Sequence, residues 1–243
     1  MSSVQNYVPI ESIEDISKLI STIKNIDYDN FTNSICNAIE SMDLNELFYY
    51  SQVLVDTMNS SLFTPILSKV YYFDECTYMH SIRVAEYATF VGLKEKINGL
   101  DLIYLITGAL LHDIGKLNIS LDIINKPGRL SDFEYNIIKE HATVGYYTVI
   151  EKVKDVPMDI LDVIYQHHEN WNGTGYPSNL KGKDISRFAM IVHICDVYDA
   201  LMSKRSYKES YSHNDVWSIM DSNCGEQFDP DMYIKFKEYF YYT

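Results

Sequence analysis

Two adjacent imidazoles, His167 and His168, stand at the end of a helix-like segment, and a glycine-rich loop closed by Pro177 follows them. Imidazole is the commonest metal-ligand side chain. Two neighbours at a helix end can serve two ions, or two sides of one cluster. Gly173 and Gly175 let backbone approach a ligand closely, and Pro177 stiffens the exit. The stretch reads as a ligand pair followed by a substrate-contacting loop. His80, His112 and His141 can converge with this pair, as can Asp113 and Asp196. Histidine and carboxylate together suit first-row transition metals such as Fe, Mn or Zn. None of these residues is diagnostic alone, because a lone helical histidine is more often a core or surface residue. His112-Asp113 gains weight from the apolar segment before it, since buried charge must be paired or metal-bound.

The elements that must position these side chains read as helices almost throughout. Ile10, Ile13, Ile16, Leu19, Ile20 and Ile23 mark an amphipathic helix over residues 10–25. Asp43 with Glu46 resembles a capping box opening a helix to about Val55, and Ser131 with Glu134 another opening a helix to about Lys152. Further helices are expected over about 74–91, 101–111, 158–168, 185–203, 213–221 and 230–240. The 101–111 segment is mostly apolar and is expected to be buried on most sides. No run alternates with the period of a strand. The expected fold is all-α, a helical bundle whose core gathers ligands from several helices.

Bulk composition narrows the function. The 243 residues suffice for one large domain, or one with a smaller N-terminal unit, and 47% of them are hydrophobic. The net charge of −14 argues against coating polymeric nucleic acid or an anionic membrane. An anionic substrate would need local positive charge. The four cysteines, at 36, 76, 195 and 224, show no CxxC spacing and read as reduced thiols of a cytoplasmic protein. No signal peptide or membrane-spanning run is expected.

The order of motifs resembles the HD-GYP family, a branch of the HD phosphohydrolase superfamily. The matching pieces are His80-Ser81-Ile82-Arg83-Val84-Ala85, His112-Asp113-Ile114-Gly115-Lys116-Leu117, Lys126-Pro127-Gly128, and His141 with Val144-Gly145-Tyr146. They continue with His167-His168-Glu169, Gly173 to Pro177, Asp196 to Leu201, Arg205-Ser206-Tyr207-Lys208 and Phe228-Asp229-Pro230. The resemblance covers roughly residues 66–240 and implies a catalytic domain over 66–243. Residues 1–65 then form a helical region, read as a dimerisation or packing unit or a degenerate sensor. A second copy of the chain is thus a candidate partner in a homodimer.

The resemblance implies hydrolysis of cyclic di-GMP to linear pGpG, and onward to GMP, by a metal-activated bridging hydroxide. Carried over residue by residue, His80, His112, Asp113, His141, His167, His168 and Asp196 are the expected metal ligands, with Asp113 bridging two ions. Fe or Mn is the expected metal, with Zn, Ni or Co as alternatives. Lys116 is expected at the scissile phosphate. Arg205 and Lys208 are expected on the other phosphate or the guanine groups, and Gly175, Tyr176 and Pro177 on the pocket wall. Two ions would lower the pKa of a water and stabilise the transition state, and Lys116 would add charge there.

Two residues depart from the family pattern. Cys76 stands where some members carry a Glu that helps hold a third ion, so two ions are expected. Asn172 replaces an Asp, a change that is nearly silent if the residue only fixes the loop and costly if it tunes a ligand. Glu169 is read as orienting a ligand, Asp199 as a partner of Arg205, and His193 as a core or surface residue or a support for a ligand. His213 is read as part of a helix start, and Trp171 as packing over the loop or stacking on a base. Two alternatives to cyclic di-GMP hydrolysis stay open. One is a cyclic di-GMP-binding signalling module without turnover. The other is an enzyme acting on a mixed cyclic GMP–AMP or a mononucleotide.

Overall fold

The computed structural model describes residues 64–203 and 211–241. The expected helices over 10–25 and 43–55, together with Cys36, Arg205 and Lys208, lie outside them. Nine α-helices follow one another among the described residues: α1 Thr64–Phe73, α2 Glu75–Lys94, α3 Gly99–Leu111, α4 Leu121–Ile124, α5 Asp132–Lys152, α6 Met158–Gln166, α7 Arg187–Met202, α8 His213–Ser222 and α9 Pro230–Phe240. A 3-10 helix, Ile114–Asn118, links α3 to α4, and a shorter one, Gly182–Asp184, precedes α7. The described residues contain no strand, only an isolated bridge between Cys224 and Phe228. The all-α expectation holds. The sequence reading did not anticipate α1, which closes over the core with Ile66, Leu67 and Val70.

Local chemistry sets the helix starts. The Asp74 carboxylate accepts from the Thr77 amide at 2.8 Å and caps α2. Ser131 and Glu134 complete the expected capping box on α5. Lys126 grips both Glu134 oxygens at 2.7 Å, tying the Lys126-Pro127-Gly128 loop to that helix end. Lys126, with the Ser131 amide and hydroxyl, lowers the Glu134 pKa to about 2. Asp229 caps α9, which opens on Pro230.

The core lies between α2, α3, α6 and α7. Leu102, Leu105, Ile106, Ala109, Leu110 and Leu111 are buried, so α3 is enclosed from Leu105 onward, while its first turn is exposed at Leu100 and Ile103. Gly108 lets α3 approach α6, where an added Cβ would come within 2.7 Å of Val163. An aromatic layer of Tyr87, Phe90, Tyr198, Trp217, Phe236 and Phe240 closes the far end and locks α8 and α9 onto α2 and α7. That packing fixes the mutual rotation of α2 and α7, and both carry candidate ligands. No helix among the described residues is long and apolar enough to cross a membrane.

Candidate metal centre

The seven expected ligands converge from five places in the chain. His80 lies on α2, His112 ends α3, and Asp113 enters the 3-10 helix. His141 is on α5, His167 and His168 follow α6, and Asp196 is on α7. They form two donor groups: His80, His112 and Asp113 in one, His141, His167 and His168 in the other, with the ligating atoms of each within 4.8 Å of one another. Asp196 joins the first group, its Oδ1 3.0 Å from His80 Nε2. Asp113 stands between the two. Its Oδ2 lies 3.4 Å from His112 Nε2 and 3.8 Å from His80 Nε2, and its Oδ1 lies 3.3 Å from His141 Nε2. Within the second group, His141 Nε2 and His167 Nε2 are 3.1 Å apart.

Glycine makes this convergence possible. Any Cβ on Gly115 would collide with the carbonyl of His141 and with the Gly145 amide. The glycine therefore lets the 3-10 helix lie directly on α5, and that contact sets Asp113 against His141. Gly145 on α5 leaves the complementary room: an added Cβ would come within 3.1 Å of the Ile114 and Ile164 side chains, closer than ordinary contact.

The backbone fixes which nitrogen of each ring is available. His112 Nδ1 donates to the Ala109 carbonyl at 2.7 Å, His141 Nδ1 to Ile138 at 2.6 Å, and His167 Nδ1 to Ile164 at 2.9 Å. A proton on Nδ1 leaves the Nε2 lone pair as the donor facing inward. His112 Nε2 and Asp113 Oδ1 are fully buried and have no hydrogen-bond partner. Orphaned buried acceptors are costly in a folded protein, and divalent cations would satisfy them. The donor set of imidazole and carboxylate fits such ions.

Electrostatics favour ligand-ready protonation. Burial pushes His141 down to about 4, aided by Lys116 against the pull of Asp113. Burial and mutual repulsion drive His167 and His168 well below the usual imidazole value. These three rings are neutral at neutral pH. Burial alone would raise Asp113, but Lys116, His112 and His141 outweigh it and hold the carboxyl well below the ordinary range. His80 differs: burial opposes its charge, yet hydrogen bonds to Asp196 and Asp199 prevail and raise it. Between His80 Nε2 and Asp196 Oδ1, either a proton or a metal ion satisfies the contact.

Lys116 projects from the 3-10 helix with its Nζ 2.5 Å from Asp113 Oδ2. Beside it a cleft of about 270 Å³ opens, lined by His80, Thr77, Asn125, Tyr135 and Ile138 among others. Cys76, exposed one turn before His80, also lines it. Tyr176 is stacked on His168 with ring centroids 4.8 Å apart. Pro177 follows through a cis peptide bond. Gly175 is buried against the Glu169–Asn170 backbone, where a Cβ would be 2.3 Å from the Asn170 amide nitrogen, so its need is packing.

Glu169 departs from its reading in the sequence, and Asp199, His193 and Asn172 take specific partners. Glu169 orients no histidine; its oxygens accept from the Ser178 amide at 2.6 Å and the Leu180 amide at 3.0 Å, pinning the loop. Asp199 is fully buried and bonds to His80 and Arg83 on α2 and to the Ser203 hydroxyl, while its expected partner Arg205 lies outside the described residues. His193 is buried and donates through Nδ1 to the His167 carbonyl at 2.6 Å, which steadies the end of α6. Asn172 points away from the ligands: its amide donates to Glu226 Oε2 at 2.5 Å and its oxygen accepts from the Thr174 amide at 3.0 Å. The reading of His213 as a helix-start residue holds, and its Nε2 accepts from the Trp217 indole at 2.9 Å. Trp171 pairs through its backbone with Gln227 and Gly182, beside the Asn172 link.

The sequence profile of the HD domain family matches residues 62–232. The chain belongs to that family, and the HD-GYP resemblance drawn from its motifs holds. It is 36% identical over 165 residues to the cyclic di-GMP phosphodiesterase PA4108 of Pseudomonas aeruginosa, a match covering 67% of this chain and 39% of that protein. It is also 36% identical over 160 residues to the 3'3'-cGAMP-specific phosphodiesterase 3 of Vibrio cholerae, covering 65% and 34%. The chain thus spans well under half the length of these curated relatives. Among solved structures, the HDG"Y"P protein Bd1817 of Bdellovibrio bacteriovorus superposes with a TM-score of 0.56 at 20% identity, covering 93% of this chain and 78% of that one. The HD domain of the Listeria monocytogenes phosphodiesterase PgpH, in complex with cyclic-di-AMP, gives 0.55 at 21%, covering 72% and 93%. At such identities the likeness shows a shared fold.

Proposed function

We propose that the chain is a metal-dependent phosphodiesterase that hydrolyses cyclic di-GMP to linear pGpG and onward to GMP. The observation that carries this reading is the Asp113 carboxylate facing two buried donor groups, one oxygen toward each, with the Lys116 ammonium beside it. His80, His112, Asp113 and Asp196 would hold one divalent ion, and Asp113, His141, His167 and His168 the other, with Fe or Mn the expected metals. Bound there, such ions supply Lewis-acid charge and lower the pKa of a water enough for attack at neutral pH.

The chain's own groups prepare that chemistry. Lys116 is close enough to Asp113 to place positive charge where a phosphoryl oxygen becomes more negative. The Tyr176 ring on His168 and the buried α3 wall exclude bulk water, which strengthens each charge in the site. Attraction concentrated in this pocket overcomes the −14 net charge of the chain. Arg205 and Lys208 are assigned to the remaining phosphate or the guanines, and Gly175, Tyr176 and Pro177 to the pocket rim. We place the reaction in the cytoplasm, consistent with the unpaired cysteines among the described residues. We assign residues 66–243 to catalysis and residues 1–65 to packing or homodimer formation.

A second substrate, 3'3'-cGAMP, is favoured by one observation: the relative specific for it matches at the same 36% identity as the cyclic di-GMP enzyme. Side-by-side turnover by the metal-loaded protein, with products resolved by chromatography, tests the assignment. The expected result is faster loss of cyclic di-GMP with pGpG appearing first. Faster cleavage of 3'3'-cGAMP transfers the assignment to that dinucleotide. Binding of either without cleavage supports the signalling-module alternative.

A further inference from the structure

Of the candidate ligands, His80 alone is oriented by a charged side chain. The imidazoles of His112, His141 and His167 each give Nδ1–H to a carbonyl of their own helix, a neutral acceptor. His80 Nδ1 instead meets Asp199 Oδ2 at 2.6 Å, across the interface between α2 and α7. Asp199 is fully buried, and every direction of its carboxylate is occupied. Arg83 Nε donates to Oδ1 at 2.6 Å and Arg83 Nη2 to Oδ2 at 2.9 Å, in the forked geometry that guanidinium matches best. The Ser203 hydroxyl adds a bond to Oδ1 at 3.2 Å. Arg83 lies one helical turn beyond His80, and Asp199 one turn beyond Asp196, so the pair spans the same two helices as the candidate ligands His80 and Asp196.

We infer that Asp199, clamped by Arg83, is a positioning residue that fixes the tautomer and orientation of His80, so that only one of the two metal positions depends on it. The inference rests on the metal-centre reading above. A carboxylate behind an imidazole raises its basicity as a ligand and holds the ring against rotation. The first group therefore carries more negative charge than the second: it has Asp196 and the Asp199-backed His80 beside the shared Asp113. The second has three imidazoles and Asp113, with no carboxylate shown behind any of them. The two positions are inequivalent by construction, and loss of the Asp199 charge weakens the first without touching the second.

The test is calorimetric titration of the full metal-free chain with Mn²⁺, with bound metal counted after desalting. Wild type is expected to take up two ions. Asp199→Asn is expected to keep one at wild-type affinity and to weaken the other on the order of 10- to 100-fold. Arg83→Gln keeps the carboxylate but loosens it, and is expected to weaken the same ion by less. It carries the test if circular dichroism shows that Asp199→Asn does not fold. Two ions at wild-type affinity in the folded variants would overturn the inference while leaving the metal centre intact, as would equal loss of both. A wild-type chain that binds no Mn²⁺ would overturn the inference and the metal-centre reading together.

Discussion

His141 shows how one ring serves both stability and ligation. Its pKa of about 4 lies below the ordinary 6.5 because burial disfavours the imidazolium. Below about pH 6.5 the unfolded chain takes up a proton that the folded chain refuses. The stability of metal-free protein is therefore full above that pH and declines as the pH falls through 6.5 toward 4. Denaturant titrations of metal-free protein at pH 5 and pH 7 should show this loss, and a smaller one in His141→Gln; equal slopes in both proteins would count against it. Asn172 makes a different case. As an amide it donates to Glu226, whereas the family's usual aspartate would set two carboxylates against each other. Asn172→Asp should destabilise the chain by roughly 1 kcal/mol, since the contact is solvent-exposed. Glu226→Gln in the same chain should recover most of that, and an additive double-mutant cycle would show the two residues to be uncoupled.

At the scale of elements, most of the helices were legible because their starts are chemical. Ser131 with Glu134, and Asp229 before Pro230, announce helix starts, and the apolar run ending at Leu111 announces a buried one. The convergence of the candidate ligands was legible because their motifs keep their order. The Asp199–Arg83 pair was not, because its members lie 116 residues apart and meet only through the packing of α2 on α7. Sequence proximity pointed instead to Arg205. Glu169 misled for a related reason: adjacency to two histidines says nothing about where the loop amides of Ser178 and Leu180 will fold. Gly115 is the most exacting element contact. Gly115→Ala must push the 3-10 helix off α5 and part Asp113 from His141. We expect it to lower the melting temperature and abolish binding of at least one metal ion. A variant with wild-type metal content would contradict the role given to this contact.

For the whole molecule, the arrangement concentrates opposing charge. A strongly acidic chain gathers its candidate ligands around one buried carboxylate, backs them with Lys116 and Arg83, and opens a cleft beside them. The fold contributes rigidity through the aromatic layer at the far end, so that side chains from α2, α3, α5, α6 and α7 meet within bonding reach. Cleavage of a cyclic dinucleotide is the activity proposed for this centre. Its most direct test is product analysis with cyclic di-GMP under Mn²⁺ and under anaerobic Fe(II), beside a His112→Ala/Asp113→Ala control. Wild type is expected to yield pGpG with at least one metal, and the control none. Intact cyclic di-GMP after incubation with wild-type protein shown to carry two ions per chain would contradict it.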